Sequence, residues 1–342
     1  MEDLLYLVHR IPYPPNKGDK IRSFHLLKHL GKQYRVHVGA FVDDKADWAY
    51  AEVVKKLAGG EVCLLPLHPK WATLKSATGL LSGEPLTLPY YRDRRMQRWV
   101  DALLERGDIR RALVYSSSMA QYLMPHADLN RVIDFVDIDS DKWRQYAEKK
   151  SWATRWVYRR EAARLSAYEH RVTQAFDAAT FVSDAEAALF KQLVPEGAHK
   201  VFGFSNGVDI EYFSPEHALA NPYLPDERAI VFTGAMDYWA NVDAVTWFAS
   251  EVFRAVRDKA PSARFYIVGA RPTPHVHSLA TIPGVVVTGG VTDIRPYLAH
   301  AALAVAPLRI ARGIQNKVLE AMAMARPTIV SPEALEGIAA EP

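Results

Sequence analysis

Cysteine is almost absent from this sequence. Cys63 is the only cysteine among 342 residues. A single cysteine excludes an internal disulfide framework and any metal site built from several cysteine ligands. The chain is therefore expected to work in a reducing compartment.

Long apolar runs are also missing. No segment approaches the ~18 consecutive apolar residues of a membrane-spanning helix. The N-terminal segment, MEDLLYLVHRIPYPP, lacks the basic start and the apolar length of a secretory signal. We expect a cytoplasmic protein, and peripheral contact with the inner face of the cytoplasmic membrane stays open.

Two common nucleotide-binding motifs do not occur. The sequence has no G-x-G-x-x-G after a strand pattern and no G-x-x-x-x-G-K-[ST] anywhere. Their absence disfavours a dinucleotide-dependent dehydrogenase and a P-loop enzyme. Internal repeats and low-complexity tracts are likewise missing.

Charge is nearly balanced overall but uneven along the chain. The net charge is +3, yet residues 1–208 carry 31 Lys and Arg against 25 Asp and Glu, whereas the remainder carries 11 against 14. A basic first half fits an anionic ligand, an anionic membrane surface or ordinary solvated faces, and these alternatives stay open. Nucleic acid is disfavoured because the excess is small and no recognised module is present.

Short apolar runs rich in Val, Ile, Phe and Tyr alternate with segments of helical period, which is typical of parallel sheets with crossover helices. A length of 342 residues suits two such domains. We predict an α/β chain with two doubly wound, Rossmann-like domains facing a cleft, at residues 1–208 and 228–342. Residues 209–227, with three prolines, form the predicted linker. Predicted helices include residues 141–174, 241–257, 274–280, 293–300 and 314–325.

The segment RIARGIQNKVLEAMAMARP, residues 309–327, follows the predicted strand ALAVAPL. A helix beginning near Gly313 would place Gly313, Lys317, Glu320 and Met324 on one face. The start of a helix offers unpaired N–H groups and a partial positive charge, which suit a diphosphate.

Three cations surround this predicted helix start, namely Arg309, Arg312 and Lys317. Glu320, one turn deeper, could accept hydrogen bonds from a diol such as a ribose. The alternative is a surface ion pair between Lys317 and Glu320, with both arginines solvated.

Two further segments follow strands in the first half. After the first strand, Gly18 permits an unusual backbone angle and Asp19 is a good N-cap, while Lys20 and Arg22 attract anions. The alternative is an ordinary capped loop.

Four aspartates cluster in VIDFVDIDSDKW, and they could hold a divalent metal or a sugar hydroxyl. The alternative is that Asp141 or Ser140 caps the next helix. These aspartates are Asp134, Asp137, Asp139 and Asp141.

The predicted helix at 141–174 mixes aromatic and cationic residues near its middle. Such a mixture suits an anionic lipid surface, although aromatic residues at helical spacing also fit a core. The residues are Trp152, Arg155, Trp156, Arg159, Arg160 and Arg164.

Several segments together resemble the retaining, two-domain GT-B glycosyltransferases of family 4. They include SNGVD, GAMDYWANVDAVTWF, FYIVGARP, VTGGVTDIRPYL and PLRIARGIQNKVLEAMAMARPTIVS, in the order of the family and over most of the chain. FVDIDSDKW and PLRIARGIQNKVLEAMA resemble the sugar transferases associated with exosortase-linked exopolysaccharide clusters of bacteria. The resemblance implies an N-terminal acceptor domain and a C-terminal nucleotide-sugar donor domain.

The resemblance also implies roles for individual residues. Glu320 matches the second Glu of the family's E-x7-E motif and would hold the donor ribose, while Lys317 with Arg309 or Arg312 would hold the diphosphate. Gly18 would let the backbone approach the reacting centre. The predicted catalytic residues are Lys317, Arg312, Asp137 and Asp139, the donor-binding residues Glu320, Arg309, Gly313, Asn316 and Gly234, and the acceptor or phosphate loop Lys17, Gly18, Asp19 and Arg22.

This sequence departs from the family pattern in three places. Arg312 stands where the first Glu of E-x7-E would fall, which leaves the sugar unspecified. Asp19 stands where a second loop glycine is common. The C-terminal domain is expected to be incomplete, because family members continue past the segment seen here as EALEGIAAEP.

These features predict a glycosyltransferase that moves a sugar, with retention, from a nucleoside diphosphate to a glycan or polyprenyl-linked acceptor in exopolysaccharide biosynthesis. No metal or other cofactor is expected. The alternatives are a non-catalytic nucleotide-sugar binding protein and a sugar-nucleotide epimerase of similar fold.

Overall fold

The structure, a computed structural model, describes residues 1–15, 18–148, 152–311 and 313–338. The chain divides into a first unit, residues 1–205, and a second unit, residues 206–342. The division falls a few residues before the predicted linker at 209–227, which contains neither helix nor strand.

The first unit is built on a seven-stranded sheet in which neighbouring strands are parallel. Its strands are β1 (Glu2–Val8), β2 (Tyr34–Val42), β3 (Gly59–Pro66), β4 (Ile109–Tyr115), β5 (Asn130–Val136), β6 (Ala178–Phe181) and β7 (Val201–Gly203). Their order across the sheet is β3-β2-β1-β4-β5-β6-β7. Each strand overlaps one of the apolar runs of the sequence.

Helices connect these strands. They are α1 (Gly18–Leu30), α2 (Ala51–Ala58), α3 (Pro69–Ser76), α4 (Thr78–Ser82), α5 (Thr87–Tyr91), α6 (Arg94–Leu104), α7 (Asp139–Glu148), α8 (Trp152–Ala175) and α9 (Asp184–Leu193). Short 3₁₀ helices lie at Lys45–Tyr50, Ser117–Tyr122 and Pro195–Lys200.

The second unit has a five-stranded parallel sheet with the order β10-β9-β8-β11-β12. Its strands are β8 (Arg228–Thr233), β9 (Ala263–Val268), β10 (Val285–Gly289), β11 (Leu303–Ala306) and β12 (Thr328–Val330). Its helices are α10 (Trp239–Trp247), α11 (Phe253–Lys259), α12 (Pro274–Ser278), α13 (Arg295–His300), α14 (Asn316–Ala323) and α15 (Pro332–Leu335). A π-helical turn at Phe248–Val252 joins α10 to α11, and a 3₁₀ turn lies at Leu279–Thr281.

The central strands carry continuous apolar runs, as expected for parallel strands that are covered on both faces. In β1, the consecutive residues Leu5, Tyr6 and Leu7 are all fully buried. In the second unit, Phe232 of β8 and Phe265 of β9 are fully buried in the same way. The α/β prediction with two doubly wound sheets is therefore confirmed.

Strand order reverses direction at one point in each sheet. In the first unit the chain turns back between β1 and β4, and in the second unit between β8 and β11. Ligands of open α/β sheets bind outside the carboxyl ends of the strands at such a switch point. The loops that follow these strands are therefore the places to look for a site.

Helix bounds differ from the sequence-based expectation in three places. The predicted helix at 141–174 is described as α7 and α8, with residues 149–151 outside the described part of the chain. The predicted helix at 241–257 contains the π-helical turn, and α14 begins at Asn316 rather than near Gly313. Across the described residues, no helix combines the length and apolar character needed to cross a bilayer.

Candidate functional site

Two glycines allow the loops after β8 and β9 to pack closely. A Cβ atom on Gly269 would lie 1.7 Å from the carbonyl oxygen of Gly234, which no real structure tolerates. A Cβ atom on Gly234 would lie 2.8 Å from Nδ2 of Asn241 and 3.4 Å from Cε of Lys317. Gly234, predicted as a donor-binding residue, thus lies directly beside the side chain of Lys317.

Lys317 lies in the first turn of α14 and reaches back to the loop after β8. Its Nζ donates a hydrogen bond to Oδ1 of Asn241 at 2.8 Å and lies 5.0 Å from the centroid of the Phe232 ring. The Asn241 side chain is buried, and its Nδ2 donates to the carbonyl oxygen of Ala235 at 2.9 Å. Asn241 therefore fixes Lys317 against the carboxyl end of β8.

The half-buried position of Lys317 and Glu320 changes the pKa of both groups. Burial lowers the pKa of Lys317 to about 8, with the charge of Glu320 opposing the shift. Burial raises the pKa of Glu320 to about 7, with the charge of Lys317 opposing it. Both directions follow from the cost of removing a charge from water.

No ion pair joins Lys317 to Glu320 in the described part of the chain, although the two are close enough to affect each other's pKa. The surface ion pair, which the sequence left open, is thus not the arrangement that forms. Lys317 is instead a partly desolvated cation whose hydrogen-bond partner is a neutral amide.

The start of α14 lies next to this cation. Gly313 adopts a positive φ of 64° in the turn before the helix, and no side-chain hydrogen bond from the N-cap residue Gln315 closes the first turn. The buried Oδ1 of Asn316 has no hydrogen-bond partner among the described residues. Lys317 and the positive end of the helix therefore act on the same space, an arrangement that favours an anion.

Of the two arginines predicted beside Lys317, the structure describes only Arg309. The half-exposed Arg309 binds Asp243 of α10, with Nε 3.0 Å from Oδ2 and Nη2 2.5 Å from Oδ1. Arg312 lies outside the described residues. The structure thus places Asn316, Lys317 and Glu320 on α14, with Lys317 beside Gly234, whereas Arg309 is paired with Asp243.

In the first unit, Asp19 lies in the first turn of α1 beside two residues that follow β1. Arg10 donates to Oδ2 of Asp19 at 2.6 Å, and Nε2 of His9 lies 3.4 Å from the same atom. Burial alone would raise the pKa of Asp19, but His9 and Arg10 hold it below its ordinary value. Arg10 also pairs with Asp43 at 2.9 Å, so the two aspartates share one guanidinium.

Gly18 is the first residue of α1, and it does not adopt the unusual backbone angle that a glycine permits. Its φ is not positive, and a Cβ atom would meet nothing within 4 Å. Lys17, predicted in the same loop, lies outside the described residues. A glycine at position 18 is therefore not required by the packing of the described residues.

Arg22, also predicted in this loop, is buried. Its Nε donates to Oδ2 of Asp134 at 2.7 Å and its Nη2 to Oδ1 at 3.2 Å. Its guanidinium also lies 4.9 Å from the centroid of the Phe204 ring. Arg22 thus joins α1 to β5, and Asp134 is its buried carboxylate partner.

Asp137 and Asp139 flank the short turn between β5 and α7. Nζ of Lys142 lies 2.6 Å from Oδ2 of Asp137 and 3.9 Å from Oδ1 of Asp139. Ser117 donates to Oδ2 of Asp139 at 3.1 Å. Burial raises the pKa of Asp139, while Asp137 and Asp139 together raise that of Lys142 against the effect of burial.

Helix α7 begins at Asp139, so neither Ser140 nor Asp141 caps it as the alternative proposed. The hydroxyl of Ser140 instead donates to buried Glu169 at 2.5 Å, and Asp141 accepts from Arg144. Burial raises the pKa of Glu169 to about 8. The described residues contain no group of three or more His, Cys, Asp or Glu arranged to hold a metal ion.

Two non-glycine residues at this edge of the sheet have positive φ angles, Ser116 after β4 with 78° and Val136 at the end of β5 with 72°. A β-branched residue in this region is strained, and such strain concentrates at functional sites. The carboxylate of Asp134 holds the strained turn by accepting from the Val136 N–H at 3.2 Å.

Sequence reasoning missed several residues that contact the predicted site residues. They are Phe232 and Asn241 in the second unit and His9, Arg10, Asp43, Ser117 and Lys142 in the first. Asn241 belongs to the segment GAMDYWANVDAVTWF, which carried part of the family resemblance, but nothing in the segment indicated a bond to Lys317. His9 stacks on Tyr115 with ring centroids 5.8 Å apart, and this contact has no signal in the sequence.

Comparison with known proteins gives a family match for the second unit. Residues 227–341 match the family model described as "Glycosyl transferases group 1". No curated protein sequence gives a significant match.

Solved structures match almost the whole chain. HepE from Anabaena, in complex with UDP and glucose, is 15% identical with a TM-score of 0.62, and the match covers 100% of this chain and 84% of HepE. WaaG, a glycosyltransferase involved in lipopolysaccharide biosynthesis, is 16% identical with a TM-score of 0.64, covering 98% and 82%. An α,α-trehalose-phosphate synthase (UDP-forming) from Burkholderia vietnamiensis is 12% identical with a TM-score of 0.59, covering 98% and 86%.

These similarities establish the fold of the chain as GT-B, with two Rossmann-like α/β units. The family match over residues 227–341 lies within the second unit, which is therefore similar to the glycosyl transferases group 1 domain. The Lys317 cluster lies within that domain.

Proposed function

We propose that this chain is a retaining glycosyltransferase of family 4 that transfers a sugar from a nucleoside diphosphate to a glycan or lipid-linked acceptor in bacterial exopolysaccharide biosynthesis. The second unit binds the donor and the first unit binds the acceptor. The observation that carries the proposal is the desolvated Lys317, held by Asn241 beside the start of α14.

Transfer of the sugar leaves negative charge on the departing diphosphate. A preorganised cation and a helix N-terminus stabilise such charge without having to reorganise during the reaction. Lys317 meets both conditions, since Asn241 fixes its position and α14 begins one residue before it. We therefore propose that Lys317 binds the diphosphate and that the reaction does not require a metal ion.

Glu320 lies one helical turn beyond Lys317 and has no cationic partner in the described part of the chain. An ionised carboxylate there can accept hydrogen bonds from two neighbouring hydroxyl groups, as a ribose presents them. HepE was solved with UDP and with UDP-glucose, which supports a nucleotide sugar as the donor here.

The first unit supports the acceptor role through carboxylates that are paired with cations. Asp19, Asp137 and Asp139 carry carboxylates next to cations, so hydroxyl groups of an acceptor would find both hydrogen-bond donors and acceptors. Retention and the exopolysaccharide role come from the resemblance of FVDIDSDKW and PLRIARGIQNKVLEAMA to that branch of sugar transferases.

Calorimetric titration of the chain with UDP, GDP and ADP tests the donor site. We expect one nucleotide to bind, and we expect Lys317→Ala and Glu320→Ala each to weaken binding by roughly tenfold or more. Lys259→Ala is the matched control, because Lys259 is exposed and ends α11 at the amino-terminal edge of the sheet. Unchanged binding by both site variants would reject the assignment.

Activity assays then distinguish a glycosyltransferase from a non-catalytic binding protein and from an epimerase. Transfer to an acceptor supports the proposal, with turnover lowered about a hundredfold or more in Lys317→Ala. Binding with neither transfer nor hydrolysis would indicate a non-catalytic protein. Conversion of the free nucleotide sugar without acceptor would indicate an epimerase.

A further inference from the structure

Six large apolar side chains of the first unit are exposed on three helices. They are among the most exposed large apolar residues of the chain, with Leu81 at 92%, Trp152 at 86% and Trp71 at 71%. The six residues, here called the α3–α4–α8 surface, are Trp71, Leu74, Leu80, Leu81, Trp152 and Trp156. Exposed apolar residues concentrated in this way mark interaction surfaces.

Hydrogen bonds tie these helices together. Arg160 of α8 donates to the carbonyl oxygens of Gly79 at 2.6 Å and Glu84 at 3.2 Å. Buried Glu161 accepts from the N–H groups of Leu86 at 2.7 Å and Thr87 at 3.1 Å. The α4 segment is therefore fastened to α8, and Arg160 serves this contact.

The two tryptophans of α8 lie on the same side of the helix as this tie. Trp156 and Trp152 precede Arg160 by four and eight residues, which places all three on one face. The α3 helix ends at Ser76, only one residue before α4 begins. Trp71 and Leu74 are exposed on α3, the helix that directly precedes α4.

Charge distinguishes this surface from the rest of the first unit. Residues 69–82 and 152–164 contain a single acidic residue, Glu161, and its carboxylate is buried against backbone N–H groups. The same two segments contain six cations, Lys70, Lys75, Arg155, Arg159, Arg160 and Arg164. Lys70, Arg159 and Arg164 are exposed.

We propose that the α3–α4–α8 surface docks the protein on an anionic lipid bilayer. Indole rings favour the headgroup region of a membrane, and clustered cations complement anionic headgroups. The carboxylate of Glu84, which follows α4, is paired with Arg92. Apolar side chains enter the acyl boundary while the cations remain at the headgroups. The inference is independent of the donor site, because all of its residues belong to the first unit.

Vesicle sedimentation of the whole chain tests this docking. The probes are phosphatidylcholine vesicles with and without phosphatidylglycerol. We expect binding to the anionic vesicles only, weakening as salt is raised. Trp152→Ser should weaken binding by roughly fivefold or more, whereas Trp239→Ser, which removes a half-exposed tryptophan of the second unit, should not.

A charge-reversal pair tests the electrostatic part. Arg159→Glu with Arg164→Glu should weaken binding by roughly tenfold or more. Arg254→Glu with Lys259→Glu changes the net charge equally at exposed positions of α11 and should have little effect. Because all four side chains are exposed, both double variants should keep the wild-type melting temperature.

Two outcomes would overturn the proposal. One is the absence of binding to anionic vesicles. If sedimentation velocity then shows a dimer that Trp152→Ser dissociates, the surface binds a second copy of the chain instead of a membrane. The other is an equal loss of binding in the control variants. Nucleotide titration of Trp152→Ser tests the donor site separately. Its nucleotide affinity should equal that of the wild type whether or not the membrane proposal holds.

Discussion

Cations at the carboxyl ends of the two sheets differ in their partners. In the first unit, Arg10, Arg22 and Lys142 are each bound to a carboxylate, as in Arg10–Asp19 and Lys142–Asp137. In the second unit, Lys317 is bound to the neutral side chain of Asn241. The same edge of a Rossmann-like sheet thus carries neutralised charge in one unit and an unneutralised cation in the other.

This difference matters for an anionic ligand. A phosphate that approached Arg10 or Arg22 would have to compete with an aspartate already bound there. A phosphate that approached Lys317 would replace no carboxylate and would supply the charge that the desolvated cation lacks. The comparison supports a diphosphate site in the second unit and a site for neutral hydroxyl groups in the first.

The largest effect is expected from breaking the buried pair of the first unit. Arg22→Met leaves Asp134 buried without its partner, and we expect a loss of about 3–5 kcal/mol in the free energy of unfolding. Burial raises the pKa of Asp134, so part of the loss should be recovered at acidic pH, where the carboxyl becomes protonated. Urea unfolding at neutral and acidic pH measures both.

Lys317→Met is the matched control in the second unit. It removes a desolvated cation that has no carboxylate partner, so the free energy of unfolding should change by no more than about 1 kcal/mol. If Lys317→Met destabilised the protein as much as Arg22→Met, the contrast between the two units would be wrong.

A substitution at Asn241 can give Lys317 a carboxylate partner, as the cations of the first unit have. Asn241→Asp places a carboxylate within reach of Nζ of Lys317, so nucleoside diphosphate binding should weaken by roughly tenfold. Asn241→Ala, which removes the positioning contact without adding charge, should weaken it less. Calorimetry measures both, and equal affinities for the wild type and Asn241→Asp would argue against the account.

The affinity for the nucleoside diphosphate should also depend on pH. We expect this effect to be smaller than the effects of the substitutions and to come from groups of the second unit. The pKa of Glu320 is raised to about 7 and that of Lys317 is lowered to about 8. Binding needs an ionised Glu320 and a protonated Lys317, so affinity should be highest between these values. It should fall several-fold as Glu320 gains a proton at lower pH and as Lys317 loses one at higher pH.

Substitutions of Glu320 and Lys317 show which residue causes the fall in affinity on each side of the pH optimum. Glu320→Gln should remove most of the acidic decline, and any remainder belongs to the terminal phosphate, which titrates near pH ~6. Lys317→Ala should remove the alkaline decline. A profile that these variants leave unchanged would show that other groups control the affinity.

Sequence patterns predicted most of the fold, because central strands of parallel sheets are continuous apolar runs. They also placed Lys317 and Glu320 on one helix correctly, since their spacing is local. They could not show that Asn241 binds Lys317, because 76 residues separate the two. The pairing of Arg22 with Asp134 spans 112 residues and was missed for the same reason.

Local details failed where a tertiary contact outweighed a local signal. Asp141 and Ser140 are good helix caps, yet Asp139 begins α7 because buried Glu169 already accepts from Ser140. Gly313 indicated a helix start, but its positive φ places it in the turn that precedes Asn316. The roles of Arg309 and Arg312 in diphosphate binding stay predictions.

The most direct test of the central claim compares the nucleoside diphosphate that binds with the corresponding monophosphate, in the wild type and in Lys317→Met. If Lys317 holds the diphosphate, the wild type will bind the diphosphate roughly tenfold or more tightly than the monophosphate, and Lys317→Met will lose most of that preference. If Lys317→Met keeps the full preference for the diphosphate, Lys317 does not bind the second phosphate and the account is wrong.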